Sequence, residues 1–291
     1  MTDDTSSSPT SQGTVIESQI DWLTLGWDDG PKADRAEAWA FARAQAERRA
    51  GYRELPFRLL GFEGWTVGRV RLGRRSDALL LQLSGDLADV YADTLVPLAD
   101  RLSRIDLAVT VRLQEADDLL GENTYAQAEA HWQENHKRAQ PSLIQDAAGG
   151  CTAYVGKRSS DRFLRVYNKF AESVAGGDPA AIARYPNCWR YELESKGLAA
   201  RPTALAAVGA SDRPAHIQQY LYDYTVDHGI FPAFAATGDR VLQPGFRRRS
   251  DYGTRLAWVR KSVNPAIKQM LEEGDRAEIL DALGLGPFPE G

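Results

Sequence analysis

Several stretches of the chain alternate apolar and polar residues with a period of two, and others repeat with a helical period. The clearest alternation covers residues 104–113. Ile105, Leu107, Val109, Val111 and Leu113 face one way; Arg104, Asp106, Ala108, Thr110 and Arg112 face the other. Residues 16–27 read as a strand stopped by Asp28-Asp29-Gly30-Pro31, and residues 32–50, rich in Ala, Glu and Arg, as a helix. Residues 57–62 and 65–72 read as two strands turning at Glu63-Gly64. A strand at 78–84 and a helix at 86–99 follow. Further on, 124–139 is a helix, 152–156 and 163–169 are strands around the polar turn 157–161, and 189–196 is another strand. From Ala204 onward the pattern is mostly helical, with a loop at 235–246.

The strands fall into two sets, each followed by helix. This predicts an α+β fold with a largely antiparallel sheet, compatible with two related halves, and a helical C-terminal part. Residues 1–15, rich in Ser, Thr and Asp, are expected to be a disordered leader, and 201–291 a mainly helical extension. With 291 residues and 43% hydrophobic content, a sizeable core can be buried. There is no long apolar run and no signal-peptide pattern, so the expected location is cytoplasmic, away from membranes. Cys151 and Cys188 sit in no CxxC pair and are expected to be buried thiols rather than zinc ligands.

A net charge of −5 does not by itself suggest nucleic acid. The cations are clustered, however: Arg71, Arg74 and Arg75; Lys157, Arg158 and Arg162; Arg247, Arg248 and Arg249. These are the candidate DNA-binding groups.

Alternation also gathers chemistry. Asp106 shares a face with Arg104; Arg190, Glu192 and Glu194 share another; Arg165, Tyr167 and Lys169 share a third. If these strands join one sheet, carboxylates, a tyrosine and cations meet. Carboxylates suit Mg²⁺ or Mn²⁺, which polarises a phosphodiester, and a tyrosine hydroxyl can attack the phosphorus. The same pattern equally fits a solvated sheet face, with Asp106 an ion-pair partner of Arg104 or Arg190.

Five stretches, in order, resemble the replication initiation factor family (Rep_trans). This family contains plasmid rolling-circle initiators, filamentous-phage replication proteins and relaxases of integrative elements. The stretches are Ile20-Asp21-Trp22-Leu23-Thr24-Leu25, Leu81-Gln82-Leu83-Ser84-Gly85, Ser103-Arg104-Ile105-Asp106-Leu107-Ala108, the run from Thr152 through Tyr167-Asn168-Lys169 to Glu172, and Arg190-Tyr191-Glu192-Leu193. The resemblance implies a sheet platform similar to the HUH endonucleases and RRM-like folds, with a nicking domain over residues 16–200. It implies Tyr167 as nucleophile aided by Lys169 and Arg165, and Asp106 and Glu192 as Mg²⁺ or Mn²⁺ ligands. Glu194 is the third candidate ligand, with Asp21 and Glu172 behind it. The implied partners are origin DNA with a hairpin, host helicase and polymerase, and a second copy of the chain. A conjugative relaxase, a DNA-binding regulator that does not cut, and a nuclease using water are the alternative readings.

Overall fold

The computed structural model describes residues 13–114, 119–135, 140–145 and 150–241. Residues 1–12 of the expected leader, Arg247 to Arg249 and the C-terminal stretch from 242 lie outside the described residues. Among the described residues, ten strands form one sheet with every neighbouring pair antiparallel.

Strand β1 (Thr14–Asp28) starts inside the expected leader and leads into helix α1 (Pro31–Arg49). A meander follows: β2 (Glu54–Leu59), β3 (Phe62–Val67), β4 (Val70–Arg75) and β5 (Ala78–Ser84), then helix α2 (Asp86–Leu95). The pattern then repeats with β6 (Arg101–Arg112), α3 (Leu120–Glu134), β7 (Ser142–Gln145), β8 (Cys151–Val155), β9 (Arg162–Asn168) and β10 (Cys188–Lys196). Short helices α4 (Lys169–Gly176) and α5 (Pro179–Arg184) separate β9 from β10. After β10 come α6 (Ala200–Gly209) and α7 (Arg213–Val226).

The strand order is β2-β3-β4-β5-β1-β6-β10-β9-β8-β7. In each half a long first strand is followed by a helix and a four-stranded meander whose last strand returns beside the first. The halves meet where β1 pairs with β6, so the sheet has the connectivity of a duplication about a pseudo-two-fold axis. Trp22 pairs with Asp106 at this seam. The matching registers Trp22–Ser84 and Asp106–Glu194 make the same two residues counterparts in the two halves.

One sheet face is apolar because the alternation makes it so. Leu23, Leu25, Ile105, Leu107, Val109, Val111, Leu164, Val166, Tyr191 and Leu193 are buried on it. Fully burying a side chain of this size contributes roughly 1.5–3 kcal/mol, which fixes the register of the central strands. Helices cover this face. Helix α1 lays down the small residues Ala33, Ala36, Ala40 and Ala44, and α2 lays down Ala88, Ala92 and Leu95. Helices α6 and α7 pack on β1, β6 and β10. Cys151 and Cys188 are buried free thiols, as expected.

The hairpin differs from expectation. The turn falls at Leu60-Gly61, not Glu63-Gly64, and a second turn at Gly68 divides the expected strand 65–72 in two. Leu60 and Gly61 both have positive φ, at 50° and 81°. Two such residues make the backbone twist that a two-residue hairpin needs, and leucine at the first position hides the signal. Strand β7 and helices α4 and α5 were likewise absent from the periodic pattern.

Candidate functional site

The other face of the sheet is polar and lies over the seam between the halves. A β-bulge shapes it. The β1–β6 register shifts between Ile20 and Trp22, leaving Asp21 as an extra residue. A bulge bends the strand and re-aims side chains. Here it allows both Asp21 and Trp22 to line the same cleft.

That cleft, of about 630 Å³, is walled by Asp21, Trp22, Arg104, Asp106, Arg165, Tyr167, Arg190 and Glu192, with Lys169 and Glu172 from α4. Pairing in the sheet brings these groups together. Strand β10 sets Arg190 opposite Tyr167 and Glu192 opposite Arg165 on β9, and Glu194 opposite Asp106 on β6. The three ionisable faces read separately from the sequence are therefore one surface.

The tyrosine hydroxyl donates to Glu192 Oε2 at 3.3 Å. Arg165 forms ion pairs with the other Glu192 oxygen and, at 3.4 Å, with Asp106. Arg104 chelates Asp106 from the other side, its Nε 2.8 Å from Oδ1. Asp106 and Glu192 are 1% and 5% exposed, so both carboxylates are held out of water. Burial raises the Asp106 carboxyl, against the pull of Arg104. Burial likewise pushes Glu192 up to about 8, Arg165 opposing and Asp21 and Asp106 adding to the rise. Each carboxyl also raises the other's hold on its proton where their charges meet, so the two titrate as a pair.

The Tyr167 phenol is raised well above its ordinary value, by burial first and then by Glu192, with Arg190 opposing. Arg190 is itself anchored. It donates to Thr110 Oγ1 at 2.9 Å, Asp21 Oδ1 at 2.9 Å and Glu17 Oε2 at 2.5 Å.

The remaining expected residues divide. Lys169 is not on the strand face but is the first residue of α4, because Asn168 caps that helix by accepting from the Ala171 amide at 2.9 Å. Its amine still lies 5.8 Å from the centre of the Tyr167 ring and pairs with Glu172. Glu194 lies next to Asp106 but is held by Arg104 at 3.0 Å and by Lys196 at 2.5 Å.

Arg71 lies on the polar face, its guanidinium 4.7 Å from the centre of the Trp22 ring. Arg75 is on that face too, paired with Asp77. Arg74 points to the helical side, where Asp29, Asp34 and Glu37 surround it, and Arg162 donates to Tyr220 of α7. Neither is available to a ligand on the polar face. Lys157 and Arg158 are exposed in the β8–β9 turn. Of the two expected ion-pair partners of Asp106, Arg104 is one, whereas Arg190 pairs instead with Glu17 and Asp21. Trp22 was hidden because the bulge breaks the two-residue period there.

Among the described residues no group of three or more His, Cys, Asp or Glu side chains has metal-ligating geometry. Asp106 and Glu192 are a two-carboxylate donor set, and a hard divalent ion such as Mg²⁺ is commonly held by one or two carboxylates, with water and substrate phosphate completing its shell. Asp106 and Glu192 supply hard oxygen donors at the wall of one cleft, and on donor chemistry this pair fits such an ion. Glu194 is paired with Arg104 and Lys196, as Asp106 is with Arg104 and Arg165, so ion pairing does not separate these two carboxylates.

No helix among the described residues is long and apolar enough to cross a membrane. No family model matches the chain, and no curated protein matches it at a significant level. Among solved structures, a rolling circle replication initiator protein from Geobacillus stearothermophilus is similar, with a TM-score of 0.48 and 16% sequence identity over 82% of this chain and 90% of that one.

Proposed function

We propose that the chain is a single-strand DNA endonuclease and strand transferase. It opens an origin for rolling-circle replication by linking Tyr167 to a 5′-phosphate. The observation that carries this reading is the Tyr167 hydroxyl hydrogen-bonded to Glu192, which is buried beside Asp106 at the wall of an open cleft. The ordered motifs around these residues point to the same chemistry.

The residues suggest the following roles. Tyr167 Oη forms a bond to phosphorus as the bond to the 3′-oxygen breaks, and the electron pair leaves on that oxygen, which takes up a proton from water in the open cleft and ends as a 3′-hydroxyl. The phenolic proton passes to Glu192 Oε2, the oxygen that already accepts it, when that carboxyl is ionised, a state favoured by a bound cation or by rising pH. Arg190, fixed by three acceptors opposite Tyr167, favours the phenolate as it forms. Arg165 Nε, a guanidinium nitrogen left without a partner by Glu192 and Asp106, supplies a donor for a phosphate oxygen. Asp106 and Glu192 would hold Mg²⁺ or Mn²⁺ if the ion displaced Arg165 from the Glu192 oxygen it now occupies, and the ion would draw charge off the phosphate. The 3′-hydroxyl then serves a polymerase, while the phosphotyrosine stores the bond for rejoining.

The test uses supercoiled DNA carrying the segment that flanks the gene. It is incubated with the protein and Mn²⁺, denatured and digested. Wild type retains covalently bound nucleotide, and Tyr167→Phe retains none. Cleavage without an adduct would point to water as the nucleophile. Binding without cleavage would point to a regulator. An adduct surviving in Tyr167→Phe would remove Tyr167 from the role.

A further inference from the structure

The duplication gives each residue of the catalytic half a counterpart in the other half. In the catalytic half, Arg165 on β9 pairs with Glu192 on β10, which pairs with Ala108, two residues from Asp106 on β6. In the N-terminal half, Arg71 on β4 pairs with Gln82 on β5, which pairs with Thr24, two residues from Trp22 on β1. Arg71 is therefore the counterpart of Arg165, Gln82 of Glu192 and Trp22 of Asp106. The counterpart of Tyr167 is Gly73, and the side chains of Phe57 and Phe62 close over it; a Cβ there would meet both at 2.9 Å. At these positions the N-terminal half thus has neither nucleophile nor carboxylate, but it keeps the arginine.

The loss of the acids changes what that arginine does. Arg165 is neutralised by Glu192 and Asp106. Arg71 faces an amide and an indole in their place, and among the described residues it has no carboxylate partner. It is half-buried against the Trp22 ring, whose centre also lies 5.0 Å from the Arg104 guanidinium. Two cations therefore share one indole, and only Arg104 has acids beside it. Burial first, and then the charge of Arg104, push the Arg71 guanidinium below its ordinary value. An anion docking there removes a strain that the protein alone leaves in place. The position is also continuous with the catalytic cleft, since Trp22 and Arg104 both line it.

We infer that Arg71, held on Trp22, forms a non-catalytic subsite that grips a backbone phosphate of the single-stranded polynucleotide extending from the cleavage site. A planar guanidinium fork suits a phosphodiester better than a point charge does. The inference rests on the strand-transfer reading for the identity of its ligand. It adds that the strand runs across the seam onto the N-terminal half.

The test is fluorescence anisotropy with a labelled oligothymidylate of ~20 nucleotides, without divalent ions, over a range of salt concentrations. Arg71→Ala and Arg71→Met are expected to weaken binding by about 3–10-fold and to lower the slope of log affinity against log salt by ~0.7, the value of one phosphate contact to a single strand. Arg71→Lys should recover part of the loss. Arg74→Ala, which removes a cation on the helical side, should bind as wild type does.

Wild-type binding and slope in Arg71→Ala would overturn the inference, as would full recovery in Arg71→Met, which keeps the packing without the charge. Failure of wild type to bind the oligonucleotide at low salt would overturn it too. Adduct formation by Tyr167 on supercoiled DNA is scored separately. If the adduct forms while Arg71 proves irrelevant to binding, only the subsite is lost; if no adduct forms, the strand-transfer reading itself falls.

Discussion

Replacing Glu192 with glutamine tests the electrostatics of the site without any DNA. The folded protein keeps a proton on Glu192 up to about pH 8, whereas an unfolded chain releases it near the ordinary glutamate value of 4.5. Between those values the native state binds more protons than the unfolded state, so this group makes stability fall as pH rises. A full proton corresponds to about 1.4 kcal/mol per pH unit. Arg165 and Asp106 share the charge, so the expected loss for wild type between pH 5 and 7.5 is about 1–2 kcal/mol, below the limit for an isolated group. Glu192→Gln cannot titrate and removes this contribution. It also leaves Arg165 with Asp106 alone, which shifts stability by an amount independent of pH. The readout is therefore the difference between variant and wild type, measured by urea unfolding with chelator present at several pH values. That difference should move in favour of the variant as pH rises. A constant difference, or one moving the other way, would refute the reasoning. Millimolar Mn²⁺ should stabilise wild type most at the upper end of the window, where a cation replaces the departing proton, and should do little for Glu192→Gln.

Three further outcomes are expected. Arg190→Met should destabilise the fold by about 3–5 kcal/mol in urea unfolding, because Glu17 and Asp21 lose a partner whose side chain is 4% exposed; a loss well under 1 kcal/mol would show that the network is not structural. Asp106→Asn should abolish covalent adduct formation while oligothymidylate affinity stays within about threefold of wild type, since phosphate contacts supply most of the affinity; retained adduct would exclude Asp106 from the chemistry. Leu60→Asn should raise stability by about 0.5–1 kcal/mol in thermal unfolding, because Leu60 is 86% exposed and held at positive φ, which asparagine tolerates; a lower melting temperature would refute that account of the turn.

Strong alternation made the central strands legible. Residues 104–113 and 189–196 are apolar on one face and largely polar or ionisable on the other, so which side chains share a face could be read from the sequence. What alternation does not encode is which strands become neighbours. The placing of β10 between β6 and β9 brings Asp106, Glu192 and Tyr167 together, and that follows from connectivity over nearly the whole chain. Local irregularities were also hidden. A leucine in a left-handed turn carries no turn signal, and a bulge at Asp21 breaks the period just where the strand enters the site. The end of β9 was misjudged for a similar reason: Asn168 reads as a polar strand residue until its side chain is seen capping α4, and Lys169 moves with the helix.

The duplication explains why the basic clusters in the sequence were a mixed guide to the polar face. Consecutive arginines on a strand point to opposite sides, so Arg74 goes to the acids of α1 while Arg71 and Arg75 stay on the open face. Charge in the sequence counts all three alike. What separates them is the chemistry of the neighbours: Arg74 and Arg75 meet carboxylates, and Arg71 meets Gln82 and Trp22 where its counterpart meets acids. An arginine that the fold positions without neutralising is the one left for an external anion, and on this face it lies on the indole that also borders the Tyr167 cleft.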